Sequence, residues 1–238
     1  MTTILLTGST RGIGAAALTA LTAGGAIVIG HGTTGGDVPA DLVEPGAGDR
    51  LWDAALERAN GRIDVLVNNA GVFEGVALDA PDADWARTWE RSWRINLQAS
   101  ADLSRRAVQH FRAVEPDAAG VRGRIVNVAS RAAFRGDSPA HWHYAAAKAG
   151  MVAMTRTIAR AYAGEGVLAF AVAPGFTMTG MAEDYLASRG GDKLLADIPL
   201  GRVATPEEVA ETIRWLALAA PPSLTGAVLD VNGASYVR

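Results

Sequence analysis

The chain has 238 residues, 49% of them hydrophobic and 20% charged, with a formal net charge of −3. It is apolar enough to bury a large core, which excludes a disordered chain, and too evenly charged to present the basic surface that nucleic acid or an anionic membrane requires. It contains no cysteine, which excludes disulfides, thiol catalysis and thiolate-bound metal and fits a reducing, cytoplasmic setting.

Thr3-Ile-Leu-Leu-Thr7 runs straight into a glycine motif, so no signal peptide is expected, and no apolar stretch approaches the ~18–20 residues of a membrane span. Short apolar runs at Thr3–Leu6, Ala26–His31, Val38–Leu42, Ile63–Val67, Arg124–Ala129, Val167–Ala173 and Ala227–Val231 read as strands buried on both faces of a parallel sheet. Helical stretches fall between them at Gly12–Ala23, Asp49–Asn60, Asp82–Ala113, His141–Ala163 and Pro206–Ala219. The last begins on a Thr205 cap, a first-turn proline and two early acids, and Pro221-Pro222 stops it. This alternation, with no repeat or linker, predicts a single domain over residues 1–238 with a doubly wound α/β sheet of the Rossmann type. The second crossover departs from that pattern. Only Gly32-Thr-Thr-Gly-Gly-Asp37 separates the second and third strands. Six extended residues span ~20 Å, so a bare extended link replaces the usual helix and leaves that face of the sheet less covered.

Thr7-Gly-Ser-Thr-Arg-Gly-Ile-Gly14 sits at the first strand–helix turn. Glycines there allow a tight turn and close approach of backbone to a pyrophosphate, while the helix N-terminus supplies N–H groups. The motif therefore predicts a dinucleotide site. NAD-binding folds place an acid ~20 residues further on to hold the ribose hydroxyls. Here the second strand ends Gly30-His-Gly-Thr-Thr34 with no acid at its tip, and Arg11, His31, Thr33 and Thr34 are available to donate to a 2′-phosphate. NADP(H) is expected over NAD(H), with Asp37 as the residue that could reverse the preference by swinging onto the ribose.

Tyr144 and Lys148 stand four residues apart in a helical stretch, hence on one face. An unperturbed tyrosine has a pKa of ~10, too high for acid–base work near neutrality, and a nearby ammonium favours the phenolate. The chain carries 20 arginines and two lysines, at 148 and 193, so a lysine here is a pointed choice. As a compact donor it can also reach a ribose hydroxyl. Ser130 ends the fifth strand, where ligands of parallel sheets lie, and is placed to polarise a carbonyl. Asn68-Asn-Ala-Gly71 and Pro174-Gly-Phe-Thr-Met-Thr179 end two further strands in the same way. Asn96 interrupts a helix that its propensity disfavours, and a local kink with a carbonyl-bound water would account for it.

With these residues in view, the chain resembles the short-chain dehydrogenases/reductases, in pattern the 3-oxoacyl-[acyl-carrier-protein] reductase-like members. The likeness covers nearly the whole chain, from the glycine loop through Asn68–Gly71, Asn96, Ser130, Tyr144/Lys148, Pro174-Gly175 and Gly201-Arg202 to the Thr225-Gly226 and Asn232-Gly233 tail. It implies an oxidoreductase that interconverts a carbonyl and a secondary alcohol, and a homotetrameric assembly is expected from the same likeness. In it Tyr144 is the proton donor/acceptor, Lys148 lowers its pKa and holds the nicotinamide ribose, Ser130 orients the carbonyl, and Asn96 anchors a proton-relay water. It also implies that Gly8, Ser9, Arg11, Gly12, Ile13 and Gly14 cradle the cofactor. Asp41 and Leu42 meet adenine, Asn69, Ala70 and Gly71 lie beside adenosine, and Pro174, Gly175, Thr177 and Thr179 border the carboxamide and phosphates. An NAD-dependent dehydrogenase of a sugar or hydroxy acid is the alternative, and a non-catalytic dinucleotide-binding sensor or scaffold a second.

Several conspicuous residues receive plainer readings. Trp85, Trp89 and Trp93 form one helical stripe, expected to pack in the core or at a subunit interface. His141-Trp-His143 is bulky where the family often carries small residues, and should crowd or line the substrate pocket; no metal-ligand spacing is present. Arg131 and Arg135 are expected in ion pairs, with an acidic substrate as the other option. Met178–Leu200, with Met178, Met181, Tyr185 and Leu186, reads as a lid over a partly apolar pocket.

Overall fold

The computed structural model describes residues 1–179 and 195–238. Within them, seven strands pair in parallel: β1 Thr3–Leu6, β2 Ile27–Gly32, β3 Val38–Pro39, β4 Val65–Asn68, β5 Gly123–Val128, β6 Val167–Pro174 and β7 Val228–Val231. They form one sheet in the order β3-β2-β1-β4-β5-β6-β7. The chain works outward from β1 to β3 and then crosses back to β4. This reversal opens a crevice at the carboxyl ends of β1 and β4, the place where doubly wound sheets take ligands.

The α-helices named among the described residues are α1 Gly12–Ala23, α2 Ala47–Arg58, α3 Asp82–Trp93, α4 Ala99–Ala113, α5 Ala132–Arg135, α6 Trp142–Tyr162 and α7 Pro206–Leu218. Two main cores result, and the period-2 alternation of the strands divides them. Ile4 and Leu6 of β1 pack with Leu21 of α1 and with Ile213 and Leu216 of α7. Leu5, between them, packs on the other face with Leu51 and Trp52 of α2 and Leu103 and Phe111 of α4. Each such side chain, when fully buried, contributes roughly 1.5–3 kcal/mol. A capping box starts α7 as its sequence implies: Glu208 N–H donates to Thr205 Oγ1, and the Glu208 carboxylate accepts from Thr205 N–H.

No helix joins β2 to β3, as expected, but the link is folded rather than extended. The third strand is two residues long, not the five of Val38–Leu42, and it pairs beside His31 and Gly32 at the carboxyl end of β2. The chain therefore has no strand length to travel back along. It reverses at once, with Gly36 bridged antiparallel to His31 and Asp37 N–H donating to Gly30 O at 2.7 Å. Gly36 is required here: its φ is +86°, and a Cβ would meet Gly30 O at 2.6 Å. Val28, on the α1 face of β2, stays half-buried where a crossover helix would lie.

The long helix expected over Asp82–Ala113 is continuous but irregular. Between α3 and α4 the segment Arg94–Gln98 winds as a single π turn, with Asn96 fully buried within it. The kink anticipated at Asn96 thus takes the form of one extra residue in the turn.

Candidate active site

Thr7 ends β1 and ties the glycine loop to the next strand. Its hydroxyl donates to Val67 O and accepts from the N–H groups of Asn69 and Ala70, at 2.9 and 3.0 Å. Asn69 Nδ2 in turn donates to Thr7 O and Gly8 O, both at 3.0 Å. The turn has no room for side chains. Gly8 has φ +66° and a Cβ there would meet Ala70 Cα at 2.8 Å, while one on Gly14 would lie 1.8 Å from Gly8 O. Gly12, with φ +52°, is faced by Thr179 Cγ2 3.0 Å from where its Cβ would stand. The loop after β6 therefore closes on the glycine loop. Arg11 is exposed and Ile13 half-buried beside it.

At the tip of β2, Thr33 and Thr34 are exposed. Asp37 is turned back: one carboxylate oxygen accepts from Gly30 N–H at 2.9 Å and the other pairs with Arg58 at 3.2 Å. His31 behaves differently from expectation. It is 2% exposed, Nδ1 accepts from Gly8 N–H at 3.2 Å, and Nε2 lies 2.9 Å from Ala40 O. Both ring nitrogens are used inside the protein, so direct donation from His31 to a phosphate does not fit this arrangement. Asp41 is exposed, but the Leu42 side chain is buried in the core with Leu5 and Ile29.

The chemistry-bearing residues gather at the carboxyl ends of β4 and β5. Gly71 brings two of them together, since a Cβ there would stand 2.9 Å from Asn96 Oδ1 and 3.6 Å from Lys148 Nζ. The Asn96 amide clamps Val72, accepting from its N–H at 2.9 Å and donating to its carbonyl at 3.0 Å, and also donates to Ser92 Oγ. Asn96→Ala leaves Val72 unpaired on both sides. It is expected to lower unfolding free energy by about 2–3 kcal/mol, read as a shift of the urea midpoint.

Lys148, 3% exposed, donates to Val128 O at 2.8 Å, and its Nζ lies 5.8 Å from the Tyr144 ring centre. Burial pushes its pKa down to about 8. Tyr144 is half-buried, and desolvation of its hydroxyl pushes the pKa up to about 12, with the Ser130 hydroxyl beside it acting in the opposite sense. Burial dominates, with no lowering from Lys148 in this state, and the phenol is proton-loaded at neutral pH. Ser130, 9% exposed, also accepts from Ala132 N–H at 3.1 Å at the start of α5.

A wall beside Tyr144 escaped the sequence reading. Phe73 meets the Tyr144 ring edge-on at 4.8 Å and stacks flat on His141 at 3.9 Å. Val76 N–H donates to Ala140 O at 3.0 Å, joining the two loops that carry the stack. The only sequence signal for Phe73 was its position two residues after Asn68–Gly71. The three bulky residues before Tyr144 diverge in role: His141 joins this wall, exposed Trp142 meets Trp85 edge-on, and buried His143 packs on Trp89. Also unanticipated is a buried relay of amides, in which Asn68 Nδ2 donates to Asn127 Oδ1 and Asn127 Nδ2 to Thr155 Oγ1, each at 2.8 Å, binding β4 and β5 to α6. A polar residue in the middle of the apolar Arg124–Ala129 run was its signal.

Pro174 and Gly175 end β6. Pro174 O accepts from Arg131 N–H, and a Cβ on Gly175 would meet Asn232 Cα at 2.9 Å. Thr177 is buried and donates to Gly175 O. Arg131 and Arg135 share the Asp197 carboxylate at 3.5 and 2.6 Å, the ion-pairing arrangement. Met178 packs with Ile198 and Val203. Residues 180–194 of the expected lid, Met181, Tyr185 and Leu186 among them, lie outside the described residues. No helix among the described residues is long and apolar enough to cross a membrane.

The profile of a family described as Enoyl-(Acyl carrier protein) reductase matches residues 8–234. A 3-oxoacyl-[acyl-carrier-protein] reductase of Synechocystis sp. is 35% identical, over 96% of this chain and 94% of that protein. The chain belongs to the short-chain dehydrogenase/reductase family. A cis-4-hydroxycyclohexanecarboxylate dehydrogenase of Sinomonas cyclohexanicum is 37% identical over the same shares of the two chains. Among solved structures, one provisionally assigned as an NAD(P)-dependent gluconate 5-dehydrogenase of Beutenbergia cavernae, with NADP bound at low occupancy, superposes with a TM-score of 0.86. It is 32% identical and covers 98% of this chain and 96% of its own. This short-chain dehydrogenase/reductase is accordingly an NAD(P)-dependent oxidoreductase that interconverts a carbonyl and an alcohol.

Proposed function

We propose that the enzyme works with NADP(H) and that Tyr144 transfers the proton to or from the substrate oxygen. The reading rests on one juxtaposition: Ser130 and Lys148 flank Tyr144, and Asn96 and Gly71 stand beside the lysine. The glycine cradle fits a dinucleotide, since side chains at Gly8 or Gly14 would fill it. Bound there, the nicotinamide supplies or accepts hydride. Lys148, whose ammonium makes one hydrogen bond to the protein among the described residues, holds the nicotinamide ribose. Ser130 donates to the carbonyl oxygen, Tyr144 delivers its proton, and Asn96 anchors the water through which the proton is replaced.

The preference for NADP(H) is supported by the tip of β2, where Arg11, Thr33 and Thr34 are exposed and Asp37 is held away by Gly30 and Arg58. Parallel fluorescence titrations test it. NADPH is expected to bind more tightly than NADH, and Arg11→Ala to weaken NADPH about tenfold while leaving NADH nearly unchanged. Equal or tighter NADH binding overturns the preference. The relatives act on an oxoacyl thioester carrier and on a ring-borne secondary alcohol by name. Here the apolar Phe73 face beside Tyr144 favours a substrate with a hydrocarbon skeleton next to its carbonyl. A homotetramer, with exposed Trp93 and Trp142 covered by other subunits, completes the reading.

A further inference from the structure

The segment that lacks a crossover helix must still hold the glycine loop in register, and one side chain spans the gap. His31 Nε2 lies 2.9 Å from Ala40 O, an acceptor, so this nitrogen carries the proton. Nδ1 is then a lone-pair acceptor, and Gly8 N–H donates to it at 3.2 Å. The His31 carbonyl accepts from Ser9 N–H at 2.8 Å and from Ser9 Oγ at 3.2 Å. One residue thereby links the first two positions of the glycine loop to β2 and to the turn after β3. The loop has no slack to absorb its loss, because Gly8 is already pressed against Ala70.

We propose that His31 is a positioning residue for the dinucleotide, holding the glycine loop only in its neutral, Nε2-protonated form, so that acid releases the cofactor. The proposal rests on the dinucleotide reading given above. A second proton would set an N–H against the Gly8 N–H and break the bond. It would also leave a buried cation without a counter-ion among the described residues. Arg11, the charged side chain of the glycine loop, offers that cation no carboxylate. On the link, Asp37 is taken by Gly30 N–H and by Arg58 of α2. After β3, Asp41 is turned to Val43 N–H. Burial accordingly lowers the His31 pKa below 6.5. The unfolded chain then binds more protons than the folded one as the pH falls through 6.5, so both folding stability and cofactor affinity decline on acidification.

The test measures NADH and NADPH affinities by tryptophan quenching at pH 7.5 and 5.5, together with the His31 tautomer in the cofactor-free protein by ¹⁵N NMR. NADH is included because the 2′-phosphate of NADPH itself titrates, with a pKa of about 6. The wild type is expected to lose about three- to tenfold in affinity for NADH between these pH values, tenfold being the limit for a group that titrates at 6.5. His31→Asn keeps an oxygen acceptor near the Nδ1 position and cannot titrate. It should bind like the wild type at pH 7.5 and change less than threefold by pH 5.5. His31→Leu should bind about tenfold more weakly at pH 7.5. The proposal fails if the wild type and His31→Asn share one pH profile, or if the free protein carries its proton on Nδ1. Should His31→Leu not fold, the asparagine variant and the tautomer decide. A wild type that binds neither dinucleotide at pH 7.5 overturns the cofactor reading itself, whereas normal binding by His31→Leu overturns only the role given to His31.

Discussion

Tyr144→Phe is expected to lose turnover by a factor of about 10³–10⁴ while its NADPH affinity stays within twofold of wild type. The substitution removes one oxygen and keeps the ring that packs edge-on against Phe73. Hydride cannot settle on a carbonyl carbon unless the oxygen is neutralised, and the phenol is the proton source placed for it. With its pKa pushed up to about 12, Tyr144 is fully protonated at neutral pH, which suits it to donate in the direction of reduction. In the direction of oxidation the same burial is a handicap that the Lys148 ammonium must offset. Single-turnover measurements with NADPH and an apolar ketone panel separate the two steps. A variant that binds cofactor and reacts at the wild-type rate would falsify the assignment.

Lys148→Met is expected to divide stability from activity. The buried ammonium has its pKa pushed down from 10.5 to about 8 by burial, and it donates to Val128 O. Holding that charge costs the fold on the order of 2–3 kcal/mol, which a methionine of similar length recovers. The sign follows from proton counts. Below pH 8 the lysine is charged in both states and the penalty is constant. Between pH 8 and 10.5 the unfolded chain binds the proton that the folded chain has shed, so wild-type stability rises with pH. The methionine variant should therefore show a higher urea midpoint at pH 7, with the advantage shrinking above pH 8. Turnover should fall by about 10²–10⁴. Lower stability at pH 7 would show that the bond to Val128 outweighs the desolvation.

The division between what was and was not legible in the sequence has physical roots. The inner strands β1, β4, β5 and β6 were legible because each is buried on both faces, which an apolar run reports directly; β1 and α1 match residue for residue. The third strand was overextended because Ala40 and Leu42 are apolar for the sake of the core below, not for pairing. Tyr144, Lys148, Ser130 and Asn96 could be singled out because each is a residue type that its local element does not need. Phe73 could not, since an aromatic residue in a loop carries no periodicity. His31 was noticed for its position but misread in direction, because its partners are backbone groups that no composition reveals.

The π turn at Arg94–Gln98 has a consequence for how this helix tolerates change. An α-helix advances about 100° per residue, so one surplus residue rotates everything after it by that amount relative to an unbroken helix. Deleting a single residue from the segment would heal the hydrogen-bond ladder and make a more regular helix. It would also swing either Asn96 off Val72 or the Leu103 and Phe111 face off the sheet, for both cannot be kept in phase. Length here is thus as constrained as composition, and a one-residue deletion should be less forgiving than any conservative replacement within the same turn.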